Sequence, residues 1–129
     1  MFKYVTITGL NHYYGKVPFK IGRIIRLQKD YDNNHDSEAI KVVLPFIGTV
    51  GYVANSLHTV FDGTNSAGRI YDKFVDHIYA KAEIVSHSSV VAELIPLTEN
   101  IYFDNAFNLF CESEIDETQN TYLNVNYKF

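Results

Sequence analysis

Apolar and polar residues alternate in short runs along most of this chain, and runs of that length favour strands. From Phe2 to Gly9, Val5 and Ile7 alternate with Tyr4, Thr6 and Thr8, which predicts a half-buried strand. A second strand is predicted over Phe19–Gln28, where Phe19, Ile21, Ile25 and Leu27 share one parity. Arg23 falls on that same parity, which a continuous buried face does not accept, so Gly22 beside it predicts a β-bulge. A third strand is predicted over Ala39–Phe46, with Pro45 ending its ladder. Gly48 turns the chain and Thr49–Val53 returns. His77–Val85 places Ile78, Ala80, Ala82 and Ile84 on one face. After a turn at Ser86–Ser89, Val90–Leu97 runs back with Val90, Ala92 and Leu94 inward. Helical signal is sparse: Asn55-Ser56 could cap a turn or two over Leu57–Phe61, and residues 67–75 carry Ile70 and Phe74 four apart. Six short strands with little helix predict a mainly β fold, a small antiparallel barrel or sandwich.

The pattern changes at Thr98. Residues 98–129 are aromatic (Tyr102, Phe103, Phe107, Phe110, Tyr122, Tyr127, Phe129) and acidic at once. That is too apolar for a linker, so the segment is expected to pack on the barrel, with Thr121–Phe129 adding an edge strand.

A length of 129 residues fits one domain. With 47% apolar and 20% charged residues the composition is globular. The longest uncharged apolar run, Val42–Ile47, is far short of a membrane span, and the N-terminus lacks a signal peptide's apolar run. The expectation is a cytoplasmic chain with no membrane partner. The net charge of −4 argues at first against nucleic acid, but its distribution matters more. Residues 1–29 hold six bases (Lys3, Lys16, Lys20, Arg23, Arg26, Lys29) and no acid. Residues 98–129 hold six acids and one base, so residues 1–97 stand at +1.

Catalytic and metal motifs fail on inspection. Asp30-x-Asp32-x-Asn34 opens like a calcium loop, but His35 and Lys41 stand where the turn glycine and the bidentate Glu belong. Gly63–Gly68 has P-loop glycine spacing but continues Arg69-Ile70 in place of Lys-Ser/Thr. The histidines show no metal spacing, and His58, His77 and His87 read as unrelated surface or half-buried side chains. The lone Cys111 lies beside Glu112 and Glu114, which disfavours a thiolate. The reading is non-catalytic, with no cofactor and no metal.

Two polar clusters remain, Asn11-His12-Tyr13-Tyr14 and Asp30–Asp36, each in a loop between strands. Turn chemistry accounts for both; so does a surface where Tyr and His stack on bases while nearby cations meet phosphate.

The order of motifs resembles a HIRAN domain over about residues 3–97. It runs Gly9-Leu10-Asn11-His12-Tyr13-Tyr14-Gly15, Gly22 to Asp30, Asn33-Asn34-His35-Asp36-x-x-Ala39-Ile40-x-Val42, then Val50-Gly51-Tyr52-Val53. The resemblance implies an OB-like six-stranded antiparallel barrel with one or two short helices, here residues 1–97; residues 98–129 are a C-terminal extension outside the resemblance, expected from their composition to pack on it. It also implies a module that grips a single-stranded DNA end at its free 3′-hydroxyl. Asp36 would accept the hydroxyl proton. His35 stands where that branch has a Tyr, and Asn33 matches a loop Asn. His12-Tyr13 or Tyr13-Tyr14 matches an aromatic pair. Asn11 falls near an Arg position, Tyr52 replaces a His, and Asn55 stands near a Lys. Arg26 is added as a phosphate contact. The alternative is a protein-interaction module on the same barrel, using the extension and not binding DNA.

Overall fold

A computed structural model of the chain describes residues 3–112. Six strands form: β1 (Tyr4–Thr8), β2 (Ile24–Lys29), β3 (Ile40–Leu44), β4 (Gly48–Val53), β5 (His77–Val85) and β6 (Val90–Leu94). They close into one antiparallel barrel in the order β1-β4-β3-β2-β5-β6. Closure leaves no strand edge unpaired in the ring. Two helices accompany it, α1 (Ala67–Ile70) and α2 (Asn100–Glu112), with 3-10 turns at Leu10–His12, Tyr71–Lys73 and Leu97–Glu99. The expected mainly β barrel with short helices is the observed fold.

The interior is filled by one parity of each strand, including Val5, Ile7, Ile25, Leu27, Ile40, Val42 and Val50, all fully buried. β5 begins and ends where its alternation places it. Its inward face runs Ile78, Ala80, Ala82, then breaks. Ala82 pairs with Ala92 but Ile84 pairs with Val91, so a bulge flips the parity and Ile84 points out, 59% exposed. β1 is covered on both faces and is not half-buried as expected. Thr6 lies outside the barrel interior yet is buried, because the 61–65 loop covers it. Phe61 N–H donates to Thr6 Oγ1 at 3.1 Å, and the Thr6 and Thr64 hydroxyls are 2.8 Å apart.

Two expectations need correction. β2 starts at Ile24, not Phe19, and holds no bulge at Gly22. Gly22 has φ +87°, a left-handed turn. Ile21 is exposed on that turn, Phe19 enters the core separately, and Arg23 donates to the Pro18 carbonyl at 2.8 Å. Apolar parity at residues 19–23 came from a turn crossing the surface. The Leu57–Phe61 segment is a turn rather than a helix; the Ser56 carbonyl accepts from both Thr59 and Val60 N–H at 3.0 Å.

The extension does pack on the barrel as far as it is described. α2 lays Phe103 and Phe107 against Ile24, Tyr79 and Ile95. Phe110 meets Phe46 edge-on at 6.0 Å. Phe46 has φ +74°, a strained value for a bulky residue, in the β3–β4 turn that Pro45 opens. The polar anchor is Asp104. Its Oδ1 accepts from Tyr79 Oη at 2.6 Å and lies 2.6 Å from His77 Nε2. Asp76 bonds the other His77 nitrogen and is held below the usual carboxylate range chiefly by that bond. The proposed strand at Thr121–Phe129 lies outside the described residues. No described helix is long and apolar enough to cross a membrane.

Asp104→Ala removes the acceptor of two short bonds. It should cost about 1–3 kcal/mol in urea unfolding, whereas a variant as stable as the parent would show that Asp104 does not anchor α2.

Candidate functional site

Gly51 sets the site. It faces β1 so closely that a Cβ there would lie 3.0 Å from the Thr8 carbonyl oxygen, 3.1 Å from Ile7 Cγ2 and 3.1 Å from Leu10 Cδ2. This explains the glycine in Val50-Gly51-Tyr52. The next residue, Tyr52, pairs with Thr8 on one side and Lys41 on the other. Tyr52 Oη donates to Asp30 Oδ2 at 2.6 Å. The Tyr13 ring stands 6.4 Å from the Tyr52 ring at 35°. Burial, then the bond to Asp30, pushes the Tyr52 phenol well above the usual tyrosine range. Asn11, His12, Tyr13 and Tyr14 are exposed. Their loop is folded back by Tyr13 and Gly15 N–H groups, which both donate to the Leu10 carbonyl.

Asp36 forms the second half. Asn33 Oδ1 accepts from the His35 and Asp36 N–H groups, both at 2.9 Å, an Asx turn that fixes the loop. Asp36 Oδ1 accepts from Glu38 N–H, and Oδ2 accepts from Asn55 Nδ2 at 2.9 Å. Asn55 Oδ1 in turn accepts from Gly68 N–H at 2.8 Å. A Cβ on Gly68 would lie 2.7 Å from Glu38 Oε1, so a side chain there would displace the exposed Glu38 carboxylate. Each Asp36 oxygen has one named donor, so lone pairs remain for a ligand hydroxyl. The carboxylate is held in place and half-buried, with His35 exposed beside it.

The structure therefore brings Tyr13 to Tyr52, and Asp36 to Asn33 and Asn55, with Asn55 three residues beyond Tyr52 on the same chain exit. Asn11 and His12 instead line a separate cleft at the end of β1. Arg26 does not join. Its guanidinium carbon sits 4.8 Å from the Phe107 ring centre, Nη2 is 3.3 Å from His77 Nδ1, and Nε is buried without a hydrogen-bond partner. Arg26 lies under α2. Other bases of the N-terminal third are also engaged: Lys3 with Glu93 at 3.5 Å, Arg23 with Pro18, and Lys29 with the Phe74 carbonyl at 2.8 Å. Lys16 and Lys20 are exposed.

Sequence reasoning missed Asp30 and Lys41 as neighbours of Tyr52. The sequence places Asp30 in the second polar loop and in a failed calcium motif, and Lys41 where that motif breaks, with nothing that joins either to Tyr52. The cross-strand register that joins them to Tyr52 is a tertiary fact. Among the described residues no group of three or more His, Cys, Asp or Glu side chains could hold a metal ion.

The raised Tyr52 pKa has a testable sign. A proton held more tightly in the folded than the unfolded state stabilises fully below the ordinary value of 10.0, and that stability is lost as pH rises above it. Unfolding free energy should therefore fall more steeply above about pH 10 in the parent than in Tyr52→Phe. Parallel pH curves would contradict a Tyr52 phenol raised by burial and the Asp30 bond.

Comparison with known proteins follows the geometry. The HIRAN domain family matches residues 2–88. The crystal structure of the HIRAN domain of human HLTF is similar, with a TM-score of 0.53 at 21% identity over 70% of each chain, a likeness of fold. No curated protein matches the chain. The family match ends before α2 and covers well over half of the sequence; the chain belongs to the HIRAN domain family.

Proposed function

We propose that this chain is a non-catalytic nucleic-acid-binding module that holds single-stranded DNA at a free 3′-hydroxyl end. Family membership supports the nucleic-acid part of this reading. The observation that carries the finer part is the fixed Asp36 carboxylate, held by Glu38 N–H and Asn55, with lone pairs left over. A carboxylate accepts from a hydroxyl and repels a phosphate, so it discriminates between two chemistries of the same end. Tyr13, with Tyr52 behind it, offers a ring for base stacking, worth about 1–3 kcal/mol per base. The barrel of residues 1–97 carries this role, and residues 98–129 are an appended segment.

The engaged state of Arg26 and Lys29 revises how phosphate would be held. In this reading the phosphate would be met by Lys41, paired to Tyr52 across β3–β4, and by the exposed Lys16, three residues after Tyr13. Two phosphate contacts give a slope of log K on log salt of about −1.4. Arg26→Ala should lower stability through α2 rather than binding.

A second reading, a protein-interaction module, is favoured by an apolar groove of about 850 Å³ where β1 begins and β6 ends. Ile24, Ile95, Leu97 and Phe103 line it.

The test is an oligonucleotide pair differing only at the 3′ end. The free hydroxyl should bind about tenfold better than the 3′-phosphate, and Asp36→Ala should erase the difference. Equal binding of the pair by the parent would sink the end-binding reading. No binding of either at low salt would leave the groove reading in its place.

A further inference from the structure

Another concavity shares no lining residue with the site built on Tyr13, Tyr52 and Asp36. It is the groove of about 850 Å³ where β1 begins and β6 ends. Its buried lining is apolar: Ile24, Ile70, Phe74 and Ile78. Ile95, Leu97 and Phe103, from the chain after β6, form a further wall, with Leu97 45% exposed. That wall lies beyond residue 88, where the family match ends, so the groove depends on a segment the match does not include.

The groove is apolar but not neutral. Five charged side chains line it, Lys3, Lys73, Lys81, Glu93 and Glu99, a net +1 in a chain whose total is −4. Glu93 is flanked by cations. Lys3 Nζ lies 3.5 Å from its carboxylate, and Lys81 stands opposite it across β5–β6. Lys81 Nζ is also 3.5 Å from Glu83, which lies outside the groove. Both pairs are partly exposed and long, so each holds weakly and its lysine can turn to a ligand anion.

Backbone hydrogen bonds beside the groove are already spent. β1, β5 and β6 are each paired on both sides in the closed barrel. Leu94 N–H donates to the Lys3 carbonyl at 2.7 Å, and Ile95 N–H to the Tyr79 carbonyl at 2.9 Å. An extended peptide laid there would bury unpaired amides. An alkyl chain has none to satisfy and gains from apolar burial alone. The volume lies within the range of small-molecule pockets, whose usual lining is apolar with a few placed charges.

We propose that this groove is a binding site for the anion of a single-chain fatty acid. The alkyl chain lies along Ile24, Phe74, Ile78 and Phe103, and the carboxylate is met by the lining lysines, Lys3, Lys73 and Lys81. The site is separate from the one that would hold DNA, and the proposal does not depend on the end-binding reading.

The test is an NMR titration of the full isotope-labelled chain with octanoate, decanoate and dodecanoate, each below its micelle-forming concentration. Amide shifts should centre on residues 70–78 and 94–103, which line the groove. Affinity should rise about tenfold for each two carbons added, as expected for burying two methylenes. Dodecyltrimethylammonium, the same chain with a positive head, should bind several-fold more weakly than dodecanoate. Leu97→Glu, at a half-exposed wall position, should weaken dodecanoate about tenfold. Lys73→Ala leaves the apolar lining intact and should weaken dodecanoate several-fold without weakening dodecyltrimethylammonium. Equal binding of the two head groups, or affinity independent of chain length, would overturn the proposal. So would shifts at residues 94–103 on raising protein concentration alone, which would put a second copy in the groove. A parent that binds none of the acids would overturn it too and leave the groove to a protein partner.

Discussion

The structure turns on how closely β4 lies against β1. That ladder is short, with Ile7 opposite Val53 and Thr8 opposite Tyr52, yet it seals the barrel. The approach is possible because Gly51 has no side chain to meet the Thr8 carbonyl and Leu10. Once β4 is in place, Tyr52 is set beside the turn that presents Tyr13, and the chain leaves the strand toward Asn55. Closure of the fold and assembly of the site are thus one event. A methyl at Gly51 would have to push β4 away from backbone, and overpacking of that kind costs about 1–3 kcal/mol.

Charge plays a smaller part than the composition implies. The bases of the N-terminal third are drawn into the protein's own packing: Arg26 against Phe107, Lys29 4.2 Å from the Tyr71 ring centre, Lys3 against Glu93. The acidic extension supplies α2, whose Asp104 bonds Tyr79 and His77 rather than screening a basic face. A surface with few uncommitted cations must gain affinity from stacking and hydrogen bonds, which depend weakly on salt and strongly on geometry. That is why the fixed Asp36 carboxylate carries the functional reading.

Much of the barrel was legible in the sequence because its strands bury one parity. β5 is the clearest case, since Ile78, Ala80 and Ala82 alternate and the Ser86–Ser89 turn follows. The misreading at residues 19–23 has a physical cause: Phe19 and Ile21 share strand parity, but Gly22 in the left-handed region puts Ile21 on a turn while Phe19 enters the core before it. The pairing of Asp36 with Asn55 followed from no local pattern, because it depends on β4 returning past the second loop. The same holds for Asp30 with Tyr52 and for Arg26 under α2.

The most direct test of this account is a backbone-amide NMR titration of the full chain with a short deoxyoligonucleotide bearing a free 3′-hydroxyl. The account predicts shifts along residues 9–15, 30–36 and 52–55, with α2 and the apolar groove unmoved. Shifts confined to residues 94–103 and the groove, with Tyr13, Asp36 and Asn55 silent, would contradict it.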